Sequence, residues 1–196
     1  VLDVTWWPLP QQREEAQAKR RIGVGFTGLG NTLSMLCLRY DRDEGLYMAA
    51  TIARHMRDAA YRASIELAKE KGAFPKFDAT AYLGSESFAS RLPEDIKADI
   101  KTHGLRNSHL LSIAPTGTVS LAFADNASNG IEPAFSWTYN RKKRESDGST
   151  SQYTVEDHAY RLYHALHGSS GDAALPAYFV SALEMSAQDH IGMMQA

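Results

Sequence analysis

The chain of 196 residues is long enough to bury a core and fits one domain or two small ones. Its hydrophobic content of 43%, its charged content of 22% and its net charge of −2 are those of an ordinary globular protein, with no bulk attraction for nucleic acid or an anionic membrane. The single cysteine, Cys37, excludes an internal disulfide and a cysteine-cluster metal site. No apolar run approaches the roughly 20 residues of a membrane helix, no signal-peptide pattern is present, and a cytoplasmic location is expected.

Residues 1–10 are extended and aromatic, since Pro8 and Pro10 forbid a helix through them. Residues 11–20 are polar and helix-favouring. The apolar run 22–27 predicts a short buried strand, and 28–39 a helix with Leu29, Leu33, Met35 and Leu36 on one face. The longest helical pattern runs from 42 to 71, with Gly72 as its stop and Pro75 behind it. Two shorter helices are predicted within 78–103, the second opening around Pro93-Glu94-Asp95 and closing at Gly104. Residues 108–113 are the best strand candidate, 117–125 a short helix, and 134–140 an alternating strand. The polar stretch 141–152, with Asp147-Gly148, reads as a loop or hairpin tip. Helices at 155–167 and 180–196 are joined by a Gly/Ser-rich loop at 168–171. The pattern is α/β and helix-rich, with a few strands, expected to be parallel, separated by long helices. Three strands are few for so many helices. Val1 is not an initiator Met and the last helix reads as unfinished, so a segment of a longer protein is expected.

The most informative run is Arg106-Asn-Ser-His-Leu-Leu-Ser-Ile-Ala-Pro-Thr-Gly-Thr-Val-Ser120, followed by Asn129-Gly-Ile-Glu-Pro133. An apolar strand breaks at Pro115 and restarts as a helix opening on Thr116, Gly117, Thr118, Val119 and Ser120. The first amides of a helix lack internal partners and the helix dipole is positive there, so such a turn suits a phosphate. Thr hydroxyls would add donors, and Gly117 would let a ligand approach the backbone closely.

Other motifs carry less. Gly23-Val-Gly-Phe-Thr-Gly28 matches the dinucleotide fingerprint literally, but Lys19, Arg20 and Arg21 stand where its first strand should be, so close packing is the expected role. The seven histidines have no metal-ligand spacing. Arg141-Lys-Lys-Arg144 reads as a solvated loop, and Cys37 as a small buried residue.

The phosphate-loop wording resembles the large subunits of ribonucleotide reductases, most closely the adenosylcobalamin-dependent (class II) enzymes. Lys19-Arg-Arg-Ile-Gly-Val-Gly-Phe-Thr-Gly-Leu-Gly30, Glu66-Leu-Ala-Lys-Glu-Lys-Gly-Ala-Phe-Pro75, Lys101-Thr-His-Gly-Leu-Arg-Asn107 and Leu2-Asp-Val-Thr-Trp-Trp-Pro-Leu-Pro10 resemble further segments of that family, in its order. The resemblance covers about residues 1–190. It implies part of a ten-stranded α/β barrel, with residues 1–196 a single segment from its C-terminal half. It implies that Pro115, Thr116, Gly117, Thr118, Val119 and Ser120 bind the phosphates of a ribonucleotide substrate, di- or triphosphate, and that Asn129 and Glu132 shape the site. It implies deoxyribonucleotide synthesis by radical removal of the 2′-hydroxyl, with adenosylcobalamin as the parent protein's cofactor. The family's radical cysteine lies in an Asn-x-Cys-x-Glu loop that this chain lacks, so no catalytic residue is expected here and the chain alone is expected to be inactive. Expected partners are the ribonucleotide and either the rest of the parent chain or a second copy meeting it through exposed edges. The alternative is a stand-alone, non-catalytic nucleotide- or partner-binding protein of the same ancestry.

Overall fold

The computed structural model describes residues 1–168 and 174–196. The predicted loop at 168–171 therefore lies, beyond Gly168, outside the described residues. The chain divides into two compact units, Val1–Gly25 with Ala53–Ser112, and Phe26–Ile52 with Ile113–Ala196.

In the first unit, α1 (Pro10–Lys19) starts on a proline at a position whose N–H would be orphaned anyway. It ends where Arg20 turns left-handed and donates its N–H to the Ala16 carbonyl at 2.8 Å. The long helix α3 (Asp43–Lys71) has acids in its first turn and lysines in its last, both matched to the helix dipole. Its residues from Ala53 onward belong to this unit. Gly72, at φ 80°, closes it. Then follow α4 (Ala79–Tyr82), capped by the Asp78 carboxylate, a 3₁₀ turn Phe88–Arg91, and α5 (Glu94–His103). Ile65 of α3, Ile96 and Ile100 of α5, Leu105 and Phe74 form the core, with Phe77 and Tyr82 set edgewise and tilted on Phe74.

Beside this core, two of the motifs meet. Ser108 N–H donates to the Lys19 carbonyl, Ile22 N–H to His109, Val24 N–H to Leu110 and Ser112 N–H to Val24. The Asn107 carboxamide donates to the Arg20 carbonyl at 2.9 Å and accepts from Ser64 Oγ at 3.1 Å. The strands expected at 22–27 and 108–113 thus find each other in parallel, but regular pairing shrinks to one bridge, Val24 with Leu111. Gly23 and Gly25 explain the close approach: a β-carbon on Gly25 would stand 2.4 Å from the Ser112 carbonyl oxygen, and one on Gly23 2.6 Å from Ser112 Oγ. Among the described residues neither segment pairs with a further strand, and Ile22 and Val24 are exposed, which corrects the expectation of a buried strand.

In the second unit, α2 (Leu29–Met35) is shorter than the predicted 28–39 helix, because Cys37 turns left-handed at φ 59°. Its Leu29 and Leu33 pack with Tyr40, with Ala49 of α3, and with Val180 and Met193. A single turn α6 (Gly117–Val119) runs on into a wider π turn, Ser120–Ala124. The only sheet among the described residues is an antiparallel hairpin, β1 (Thr138–Arg144) with β2 (Thr150–Glu156), in the register Thr138↔Glu156 to Arg144↔Thr150.

The hairpin corrects the expectation of a third parallel strand at 134–140. Ala134 and Phe135 are instead tied to Ala182 and Ala127 by backbone bonds, so the strand begins only at Thr138. It then continues through the basic run, Arg141 to Arg144, that reads as loop in the sequence. The predicted tip holds: Glu145 and Ser149 close a turn around Asp147-Gly148. Residues 150–156, assigned in part to the following helix, are strand, and α7 (His158–His167) starts after the Asp157 cap. The predicted helix at 180–196 is a 3₁₀ turn Ala182–Glu184 and α8 (Ala187–Gln195), each opened by its own capping box, Ser181 with Glu184 and Ser186 with Asp189.

Candidate functional site

The run 113–133 folds within the second unit, and its geometry begins with one unusual residue. Thr116 has φ 48° and ψ 20°, the left-handed region, ahead of α6. A β-branched side chain there is an outlier that persists only when its surroundings enforce it. Its Oγ1 donates to Thr27 Oγ1 at 3.1 Å. Thr27 in turn donates to the Asn129 carbonyl, and Ser120 Oγ lies within bonding distance of Thr27 Oγ1. Ser120 is fully buried and donates to the same carbonyl at 3.2 Å. Gly28 N–H completes the set on that carbonyl at 2.7 Å. Two of the predicted phosphate-binding hydroxyls, those of Thr116 and Ser120, are therefore engaged internally.

What the turn leaves unpaired is backbone. Ser120 N–H closes the turn on the Thr116 carbonyl at 2.8 Å, while the N–H groups of Gly117, Thr118 and Val119 have no acceptor among the described residues. Pro115, Thr118 and Val119 are exposed. Gly117 has room: a β-carbon there would meet only Asn129 Nδ2, at 3.8 Å. The Asn129 carboxamide lies beside it, and its Oδ1 is buried without a hydrogen-bond partner among the described residues. Glu132 acts on the backbone, its Oε2 accepting from Gly130 N–H at 2.7 Å. Gly130 lets this turn approach the preceding segment, since a β-carbon on it would stand 2.4 Å from the Ala114 carbonyl oxygen. Tyr40 donates its hydroxyl to the Ile131 carbonyl at 2.6 Å, and burial, then the Glu132 charge, pushes its phenol well above the ordinary range.

A second network, which no motif announces, anchors this turn. Asp157, fully buried, accepts from Asn31 Nδ2 at 2.6 Å, Ala127 N–H at 2.6 Å and Ala159 N–H at 2.8 Å. Asn31 Oδ1 accepts from Ser128 N–H at 3.0 Å, and Ser128 Oγ receives Gly30 N–H and donates to the Glu132 carbonyl. Helices α2 and α7 and the turn 127–132 are thereby locked together. The sequence does carry a weak signal for it, an Asp before a helical run. Next to it opens a cleft of about 440 Å³ lined by Thr27, Gly28, Asn31, Thr32, Met35, Phe123, Asp125, Asn126, His158 and Arg161. Loop residues Pro115 to Val119 do not line it.

The remaining sequence candidates fall elsewhere. Gly28, at φ 76°, makes the turn into α2, and with Gly23 and Gly25 it serves close packing, as its context suggests. Cys37 is exposed, which corrects the expectation of a buried thiol; it faces Tyr178, whose phenol is pushed up to about 12 by burial and then by the hydrogen bond to Cys37. Three histidines share α7, where His167 stacks on Tyr163 at 4.3 Å and His164 sits edgewise on Tyr160 at 4.3 Å. Among the described residues no three His, Cys, Asp or Glu side chains converge on one point. No helix among them is long and apolar enough to cross a membrane.

The proteins that this chain resembles are nucleotide-reducing enzymes. It is 38% identical over 141 residues to the vitamin B12-dependent ribonucleoside-diphosphate reductase of Mycobacterium tuberculosis (strain CDC 1551 / Oshkosh), which is 72% of this chain and 18% of that protein. It is 33% identical over 141 residues to the vitamin B12-dependent enzyme of Thermoplasma acidophilum, 72% of this chain and 16% of the relative. To ribonucleoside-diphosphate reductase 1 subunit alpha of Escherichia coli (strain K12) it is 31% identical over 189 residues, 87% of this chain and 24% of the relative. The chain belongs to the ribonucleotide reductase barrel-domain family, whose model it matches over residues 1–196. It spans less than a quarter of the length of these three relatives.

Proposed function

We propose that this chain is the part of a ribonucleoside-diphosphate reductase large subunit that holds the substrate's phosphates, in an enzyme of the cobalamin-dependent class. The observation that carries the reading is the family match over every residue of the chain. The vitamin B12-dependent relatives favour the class, and their diphosphate-reductase names favour the diphosphate. In this reading the chain forms part of the second half of a ten-stranded barrel. Its parallel pair around Val24 and Leu111 supplies two neighbouring strands, whose exposed Ile22 and Val24 are left for elements of the parent chain to cover.

The diphosphate sits at the turn 115–119. The unpaired N–H groups of Gly117, Thr118 and Val119 bind its oxygens, and the exposed Thr118 hydroxyl adds a donor. Asn129 shapes the side of the turn nearest Gly117, and Glu132 fixes the 129–133 backbone. Holding the phosphates orients the ribose for 2′-hydroxyl removal, and the radical-bearing cysteine belongs to another part of the parent protein. Adenosylcobalamin, as the cofactor of the parent enzyme, would supply the radical, and the residues of this chain are assigned the substrate's phosphates alone.

The test is Gly117→Val in the full-length enzyme. The backbone at Gly117 does not require glycine and a β-carbon fits, so the fold should survive. The added methyls would stand where the phosphate approaches. Loss of one hydrogen bond to a charged group, worth about 1.5–3 kcal/mol, weakens ribonucleoside-diphosphate binding roughly tenfold or more. Calorimetric titration that returned wild-type affinity would remove the cradle assignment.

A further inference from the structure

Thr27 belongs to the Gly-Phe-Thr-Gly segment, far in sequence from the phosphate loop, and nothing in the loop's own pattern calls for it. Yet its hydroxyl is the junction of the loop's side-chain bonds. It accepts from Thr116 Oγ1 at 3.1 Å and donates to the Asn129 carbonyl, with Ser120 Oγ alongside. The residue it receives from is the one in the costly left-handed conformation. That conformation sets the direction in which the next peptides leave, and so where the N–H groups of Gly117, Thr118 and Val119 point. Ser120 Oγ lies farther from Thr116 Oγ1, at 3.3 Å against 3.1 Å, so Thr27 is the nearer acceptor for that hydroxyl.

We propose that Thr27 is a positioning residue for the phosphate turn: by accepting the Thr116 hydroxyl and tying it to the Asn129 carbonyl, it holds Thr116 left-handed and keeps the turn's N–H groups convergent. This rests on the reading of the turn as a diphosphate cradle. Thr27 touches no reacting atom. Its effect falls on ground-state and transition-state binding alike, and so on KM more than on kcat.

The experiment uses the full-length enzyme and a ribonucleoside diphosphate, with titration calorimetry and steady-state kinetics. Thr27→Val removes the hydroxyl at nearly constant shape and is expected to weaken binding and raise KM about tenfold, with kcat changed less than twofold. Thr27→Ser keeps the hydroxyl and is expected to restore binding. In a Thr116→Gly background, where the left-handed backbone is free of steric cost, adding Thr27→Val is expected to change affinity less than twofold. Should Thr27→Val not fold, Thr116→Val severs the same bond from the loop side and is expected to give the same loss. Wild-type affinity in both valine variants, with binding lost in Gly117→Val, would overturn the role of Thr27 and leave the cradle standing. An equal loss in the Thr116→Gly background would also overturn it, because Thr27 would then act otherwise than through that backbone. If Gly117→Val too binds normally, the cradle falls first and the inference with it.

Discussion

Replacing Asp157 by Ala should unfold the second unit more readily than any surface change. Its carboxylate is fully buried and takes three short hydrogen bonds, from Asn31, Ala127 and Ala159. Removing it deletes the N-cap of α7, worth about 1 kcal/mol. It also leaves the Ala127 N–H and the Asn31 carboxamide facing an apolar methyl, at about 1–3 kcal/mol each. Relief from burying a charge offsets part of this. The net loss should be about 3–5 kcal/mol. With a urea m-value of about 2 kcal/mol/M, the midpoint should fall by roughly 2 M. Asp157→Ser retains a capping oxygen and should recover about 1 kcal/mol of the loss. Equilibrium urea unfolding of the three proteins, followed by circular dichroism, reads these values. A loss under about 1 kcal/mol in Asp157→Ala would refute the view that this carboxylate holds α2, α7 and the 127–132 turn together.

Two further outcomes follow from the first unit's glycines and the second unit's phenol. Gly25→Ala drives a methyl to 2.4 Å from the Ser112 carbonyl oxygen and should cost about 2–3 kcal/mol, whereas Gly72→Ala meets no atom within 4 Å and should cost only about 1 kcal/mol for its positive φ. Equal losses in paired urea titrations would show that the parallel pair tolerates an extra carbon. Tyr40 ionises in the unfolded chain near 10 and higher in the native state, so between those values the native protein keeps a proton that the unfolded chain has lost. Stability should therefore fall as pH rises above 10, and Tyr40→Phe should reduce that slope by up to about 1.4 kcal/mol per pH unit. An unchanged slope in the variant would show that its phenol is not protected by the fold.

The helices were the legible part of the chain. Where the 3.6-residue period runs long and a stop is spelled out, as from Asp43 to Gly72, sequence and structure agree almost to the residue. The break at Pro115 and the helical turn that follows it at Gly117–Val119 were legible as well, because proline interrupts backbone pairing and a helix restarts after it. Strands were harder to read. Residues 22–27 read as a strand and their glycines as close packing, but nothing in that run names Ser112 as the residue Gly23 and Gly25 approach. The basic run Arg141–Arg144 looks like a loop because it is polar on both faces; its strand character comes from cross-strand bonding to residues 150–153. Cys37 reads as buried from its helical spacing, but the helix has already ended. The internal use of the Thr116 and Ser120 hydroxyls depends on Thr27 and Asn129, partners that no local pattern could name.

The parallel contact between residues 22–24 and 109–112 also sets an order of events during synthesis. The first partner emerges from the ribosome roughly ninety residues before the second. At about 5–20 residues per second, the Gly-Val-Gly segment waits about 5–20 s with its backbone groups unmatched. An apolar stretch left so long without a neighbour is a place for wrong pairing or chaperone capture. Its glycines, which weaken any strand they enter, make such early pairings easy to undo.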